Sequence, residues 1–131
     1  MNEDSRREFT HLKIHSQYSI CEGALRISEL TRHCKENKIK AIGLCDTNNL
    51  CGALDFSESI AKVRTQPIIG SQINFKYKNN YGKIPLFAKN LEGYKNLIKL
   101  STKSFLEIKS NEDPHCKIED LENNKEGLIL L

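Results

Sequence analysis

The sequence predicts an α/β fold with mostly parallel strands, on three observations. Short apolar runs of strand length alternate with segments whose apolar residues recur at helical spacing, from Phe9 to Leu131. Lys78-Asn-Asn-Tyr-Gly82 has turn chemistry and joins two strand-like runs, which marks one antiparallel hairpin near residues 76–83. The closing run, Gly127-Leu-Ile-Leu-Leu131, reads as an apolar strand with nothing after it to cover its second face, and parallel strands are normally buried on both. This predicts a chain cut off partway through a larger sheet or barrel.

Residues 1–8 are charged and read as a disordered leader. The first strand is expected over Phe9–Ile14, where alternation sets His11, Lys13 and His15 on one face and Leu12 and Ile14 on the other. It runs into Ser16-Gln-Tyr-Ser19, so polar side chains at strand spacing lead into a polar turn, as at the rim of a site. After Glu22-Gly23, a helix over Arg26–Asn37 carries Ile27, Leu30 and Cys34 at helical spacing, with Ser28-Glu29 near its start. Lys38–Cys45 is the second strand and ends in the polar loop Asp46–Asn49.

A second helix, Cys51–Val63, presents Leu54, Ile60, Ala61 and Val63, and Thr65-Gln-Pro67 breaks it because proline lacks the donor a helix interior needs. Pro67–Phe75 is an apolar strand whose hairpin partner is Lys83–Ala88. The third helix, Leu91–Ile108, carries Tyr94, Leu97, Ile98, Ser101, Phe105 and Ile108 as its apolar stripe. Lys109–Lys117 is a polar linker, and a short helical turn at Ile118–Asn123 leads into the final strand.

At 131 residues the chain is one domain or a piece of a larger one. A hydrophobic content of 38% and a mean hydropathy of −0.52 suit a globular rather than a disordered or membrane class. No apolar run approaches the ~20 residues of a bilayer span, and no apolar stretch follows the charged N-terminus to make a secretory signal, so a cytoplasmic protein without membrane contact is expected. Twenty basic residues against 17 acidic ones, scattered along the chain, give +3, too little to argue a phosphate-tracking groove. The five cysteines include no C-x-x-C pair, against a zinc knuckle or disulfide framework. Cys45 and Cys51 flank one loop and a bond between them stays open, although reduced thiols are the expectation.

In parallel α/β folds the ligand site lies at the C-terminal ends of the strands. Three strand ends supply polar groups: Lys13 and His15, then Asp46 and Thr47, then Gln72 within an otherwise apolar run; Lys83, opening the hairpin return, reaches the same end. Each alone fits a turn acid, an edge residue or a surface cation. Together at successive strand ends they mark a present or former site.

Phe9-Thr-His-Leu-Lys-Ile-His-Ser-Gln-Tyr-Ser-Ile-Cys-Glu-Gly-Ala24 resembles the opening of the PHP (polymerase and histidinol phosphatase) domain of bacterial DNA polymerase III alpha subunits. Ala41-Ile-Gly-Leu-Cys-Asp-Thr-Asn-Asn-Leu-Cys-Gly52 resembles its second motif and Pro67-Ile-Ile-Gly70 its third. Leu86-Phe-Ala-Lys-Asn90, Gly93-Tyr-Lys-Asn-Leu97 and Glu126-Gly-Leu-Ile-Leu-Leu131 match in order as well. The resemblance implies a distorted (β/α)7 barrel, of which residues 9–131 form roughly the first half, a PHP domain truncated at its C-terminal end.

Metal-binding members carry histidines at the positions of Lys13 and His15, a carboxylate near Glu22, histidine at Thr47, glutamate at Gln72 and histidine near Lys83, and their metal cluster activates water for phosphoester hydrolysis. Here His15 and Glu22 keep the pattern, and Asp46 beside the second motif is expected to orient a neighbour. Lys13, Thr47, Gln72 and Lys83 depart from it. A charged lysine has no lone pair and sets a cation where a metal should sit, and glutamine lacks the charge that offsets a divalent ion. The expectation is a vestigial site with no bound metal, in which Lys13 and Lys83 supply positive charge beside Asp46 and Glu22.

The resemblance further implies the N-terminal PHP segment of a replicative polymerase alpha subunit, itself non-catalytic. It would scaffold and dock the proofreading exonuclease subunit beside other holoenzyme subunits, with DNA and Mg2+ engaged by the parent polymerase. The alternative is a metal-dependent phosphoesterase or 3′-5′ exonuclease with Mn2+ or Zn2+ at His15 and Glu22. A third reading is a free-standing binding module.

Overall fold

Helices gather on one face of a single mixed sheet, and the polar strand ends lie on the other. The computed structural model describes residues 9–131, so the leader expected at 1–8 lies outside the described residues. The elements are α1 (Ile27–Glu36), β1 (Ala41–Thr47), α2 (Ala53–Lys62), β2 (Gln66–Tyr77), β3 (Asn80–Ala88), α3 (Leu91–Leu106), β4 (Cys116–Lys117), α4 (Ile118–Asn123) and β5 (Leu128–Leu130). The sheet order is β1-β2-β3-β5, and β4 also pairs with β2, beyond the stretch that β1 occupies. β1 and β4 run parallel to β2, while β3 is antiparallel to both β2 and β5. Four of these five strands therefore point one way, and the hairpin supplies the exception.

Register fixes which side chains share a face. Leu44 lies beside Ile69, Thr47 beside Gln72, and Asn74 beside Lys83. Alternation puts Ile42, Leu44 and Asp46 of β1 on one face and Cys45 and Thr47 on the other. On the first face Ile42 and Leu44 pack with Ile27, Leu30 and Cys34 of α1 and with Phe56 and Ile60 of α2. On that same face Ile73, Phe75 and Leu86 pack with Leu97, Leu100, Cys116 and Leu121. Burying a large aliphatic or aromatic side chain contributes about 1.5–3 kcal/mol, so these two clusters hold the helices to the sheet. The opposite face carries Thr47, Gln72 and Lys83.

Several expected boundaries shift, each for a physical reason. Phe9–Ile14 forms no regular strand. Gly43 N–H donates to His11 O at 2.8 Å and Cys45 N–H to Ile14 O at 2.7 Å. Two residues of β1 thus oppose three of the first segment, and the extra residue interrupts the ladder, leaving only a parallel bridge between Ile14 and Leu44. The second strand begins at Ala41 rather than Lys38, because Lys38 adopts a left-handed φ of 51° and Ile39 N–H turns back to Cys34 O. The strand then continues through Asp46 and Thr47, assigned from sequence to a loop.

In α2 the buried residues are Ala53, Phe56 and Ile60, whereas Leu54 is 70% exposed and Ala61 is exposed, so the inward face sits out of phase with the expected one. In α3 the buried face is Gly93, Asn96, Leu97, Leu100 and Ser104. Its rotation follows from close packing on the turn before β5. A Cβ on Gly93 would lie 1.9 Å from Gly127 O, and Asn96 Nδ2 donates to Glu126 O at 2.9 Å. Of the stripe read from sequence only Leu97 is buried.

The linker 109–117 is less solvated than its composition implies, because Cys116 pairs with Phe75 and both His115 and Cys116 are buried. α1 and α4 fall where expected, and the hairpin closes on Tyr77 opposite Asn80, a two-residue turn tighter than the five-residue one expected. Among the described residues no helix is long and apolar enough to cross a membrane.

The rotation of α3 makes neighbouring residues unequal. Leu97→Ala is expected to cost about 2–5 kcal/mol and Ile98→Ala less than about 1 kcal/mol. Equilibrium urea unfolding checks this, and equal losses contradict the assigned buried face.

Candidate functional site

The site begins with Asp46, whose carboxylate is 1% exposed at the C-terminal end of β1. An ionised carboxylate accepts hydrogen bonds only, and leaving one buried and unpaired is costly. Asp46 Oδ1 accepts from Ser16 N–H at 2.6 Å and from Ser19 Oγ at 2.7 Å, and its Oδ2 accepts from Ser16 Oγ at 2.7 Å. Ser19 Oγ in turn accepts Thr47 N–H at 3.0 Å. Asn49 Nδ2 donates to Tyr18 O at 2.9 Å, so β1 and the loop after it grip residues 16–19 at several points.

That grip brings Glu22 over the far side of the strand end. Glu22 Oε2 accepts the Thr47 hydroxyl, and Glu22 Oε1 accepts the Lys83 ammonium, which reaches across from β3. Gln72 Nε2 extends toward Thr47 Oγ1 at 3.4 Å, from the register position beside it. The Lys83 ammonium, then the Thr47 hydroxyl, hold the Glu22 carboxyl below the ordinary glutamate value, with smaller help from the positive character of His15 and against a small opposing effect of burial.

Thr47, Gln72, Lys83 and Glu22 are thus brought together as the sequence expects, and His15 lies near enough to act on Glu22. Two buried polar atoms here have no hydrogen-bond partner among the described residues, His15 Nδ1 and Gln72 Oε1.

Other expected members stand apart. His11 is exposed and packs edge-on against the Phe9 ring at 4.7 Å, because the interrupted ladder removes the alternation that would have aligned it with His15. Lys13 is exposed and makes no ion pair among the described residues, although its charge bears on the Cys45 thiol. Asp46 meets serine donors rather than lysine, because it lies on the helix-covered face while Thr47 and Lys83 lie on the opposite one. Ser16 and Ser19 are the members that strand-end reasoning passes over. Their signal was the polar run after the first segment, but not its partner 30 residues on.

The cysteines are free: Cys45 is buried, Cys51 exposed, and burial pushes the Cys45 thiol up to about 12. A reactive thiolate is thereby disfavoured at the strand end.

The donor set does not fit a divalent cluster. Both Glu22 oxygens are engaged by Lys83 and Thr47, and beside them stand an ammonium, Lys83, and a neutral amide, Gln72. The two orphan atoms, one imidazole nitrogen and one amide oxygen, are too few for a multi-metal centre. Among the described residues no three His, Cys, Asp or Glu side chains gather as they would around an ion. The arrangement links a loop to a hairpin by hydrogen bonds and the Glu22–Lys83 ion pair.

The linkage has a pH signature. A glutamate whose folded-state pKa is depressed contributes stability that is present above its unfolded value and lost as pH falls through the folded one. Lys83→Met should therefore move the Glu22 pKa upward toward its ordinary value and weaken the acid-side linkage. A carboxyl carbon NMR titration reads this directly, and an unmoved Glu22 contradicts the pairing.

Comparison with known proteins adds the lineage. The PHP domain family matches residues 11–131. The chain is 42% identical to DNA polymerase III subunit alpha of Rickettsia felis over 127 residues, which is 96% of this chain and 10% of that protein. It is 38% identical to DNA polymerase III subunit alpha of Borreliella burgdorferi over 95% of this chain and 12% of that protein. The chain thus spans about a tenth of the length of these relatives. Among solved structures, a metal-dependent phosphoesterase from Bifidobacterium adolescentis aligns at TM-score 0.54 and 11% identity over 72% of this chain and 34% of its own. An amidohydrolase from Chromobacterium violaceum aligns at TM-score 0.55 and 15% identity with the same coverage. At such identities the structural likeness speaks to fold alone, and it agrees with a partial PHP barrel.

Proposed function

The chain belongs to the PHP domain family, and from that premise we propose that it is the N-terminal PHP segment of a DNA polymerase III alpha subunit. In this reading the segment serves DNA replication in the cytoplasm without catalysing a reaction itself. It is a scaffold on which the proofreading exonuclease subunit docks, in the company of the other holoenzyme subunits. Nucleotidyl transfer and its Mg2+ belong to carboxylates elsewhere in the parent, which also makes the contacts with DNA.

The observation that carries the non-catalytic reading is the Glu22 carboxylate, shared between the Lys83 ammonium and the Thr47 hydroxyl. In a hydrolytic PHP site a carboxylate here would serve a metal ion, and the ion would lower the pKa of a bound water. Here an ammonium fixed to the hairpin satisfies the same carboxylate. It supplies charge and holds Glu22 in place, but has no open coordination position for water. Lys13 adds a second cation to the region with no ion pair among the described residues, so Lys83 is the lysine to which the replacement of metal charge is assigned.

Elemental analysis of the full-length protein, dialysed and then exposed to Mn2+ or Zn2+, tests this reading. Less than a stoichiometric amount of either ion is expected. One ion per chain that disappears in His15→Ala would overturn it in favour of the metal-dependent phosphoesterase or 3′-5′ exonuclease.

A further inference from the structure

We draw no further inference here: the strongest candidate, the groove between the tip of the β2–β3 hairpin and the 109–117 linker, sets three glutamates beside Lys76, Lys78, Lys109 and Lys117, so it selects no ligand by charge, and nothing in the structure shows what covers it.

Discussion

The buried carboxylate of Asp46 is the constraint on which the site depends. A charge 1% exposed at the end of a strand requires donors, and three hydrogen bonds from Ser16 and Ser19 supply them. Hydrogen bonds to a charged group are worth about 1.5–3 kcal/mol each, and those donors sit on an irregular segment joined to β1 by a single strand-type bridge at Ile14. Asp46 supplies the charged part of the grip on residues 16–19, beside the bonds from Thr47 and Asn49. With it, Ser19 reaches the Thr47 amide, and Glu22, three residues further on, reaches Thr47 and Lys83. A buried acid on one face of β1 thus positions an exposed ion pair on the other.

The two layers differ in worth. The Asp46 network is buried, and its loss would leave several polar groups unpaired. The Glu22–Lys83 pair is partly open to solvent, with 33% and 47% of the side chains exposed, and pairs of that kind contribute between nothing and about 1 kcal/mol. The pair therefore completes a geometry that Asp46 already sets. The strand ends can therefore keep their shape with lysine, threonine and glutamine side chains on the open face. The shape of the strand ends never relied on those side chains alone, because the loop is anchored from the helix side.

Local signals gave the parts of the fold governed by local physics. Ile27, Leu30 and Cys34 were legible because three- and four-residue spacing suffices for a helix packed along one stripe, and the hairpin because its turn residues are contiguous. The gathering of Thr47, Gln72 and Lys83 was legible because strand ends collect on one edge of a sheet. The face of α3 was not. Two apolar stripes compete on that helix, and contact with Gly127, 34 residues from Gly93, decides between them. The serine partners of Asp46 were not legible for a similar reason: they lie 27 and 30 residues away, and the bulge that ended the first strand leaves no mark in the alternation of Phe9–Ile14.

Hydrogen exchange of residues 15–23 in the full-length protein, compared between wild type and Asp46→Ala, tests most directly that the buried carboxylate sets the site. The substitution is expected to open this segment to fast exchange while the β2–β3 hairpin stays protected. Undiminished protection of residues 15–23 in Asp46→Ala would contradict it.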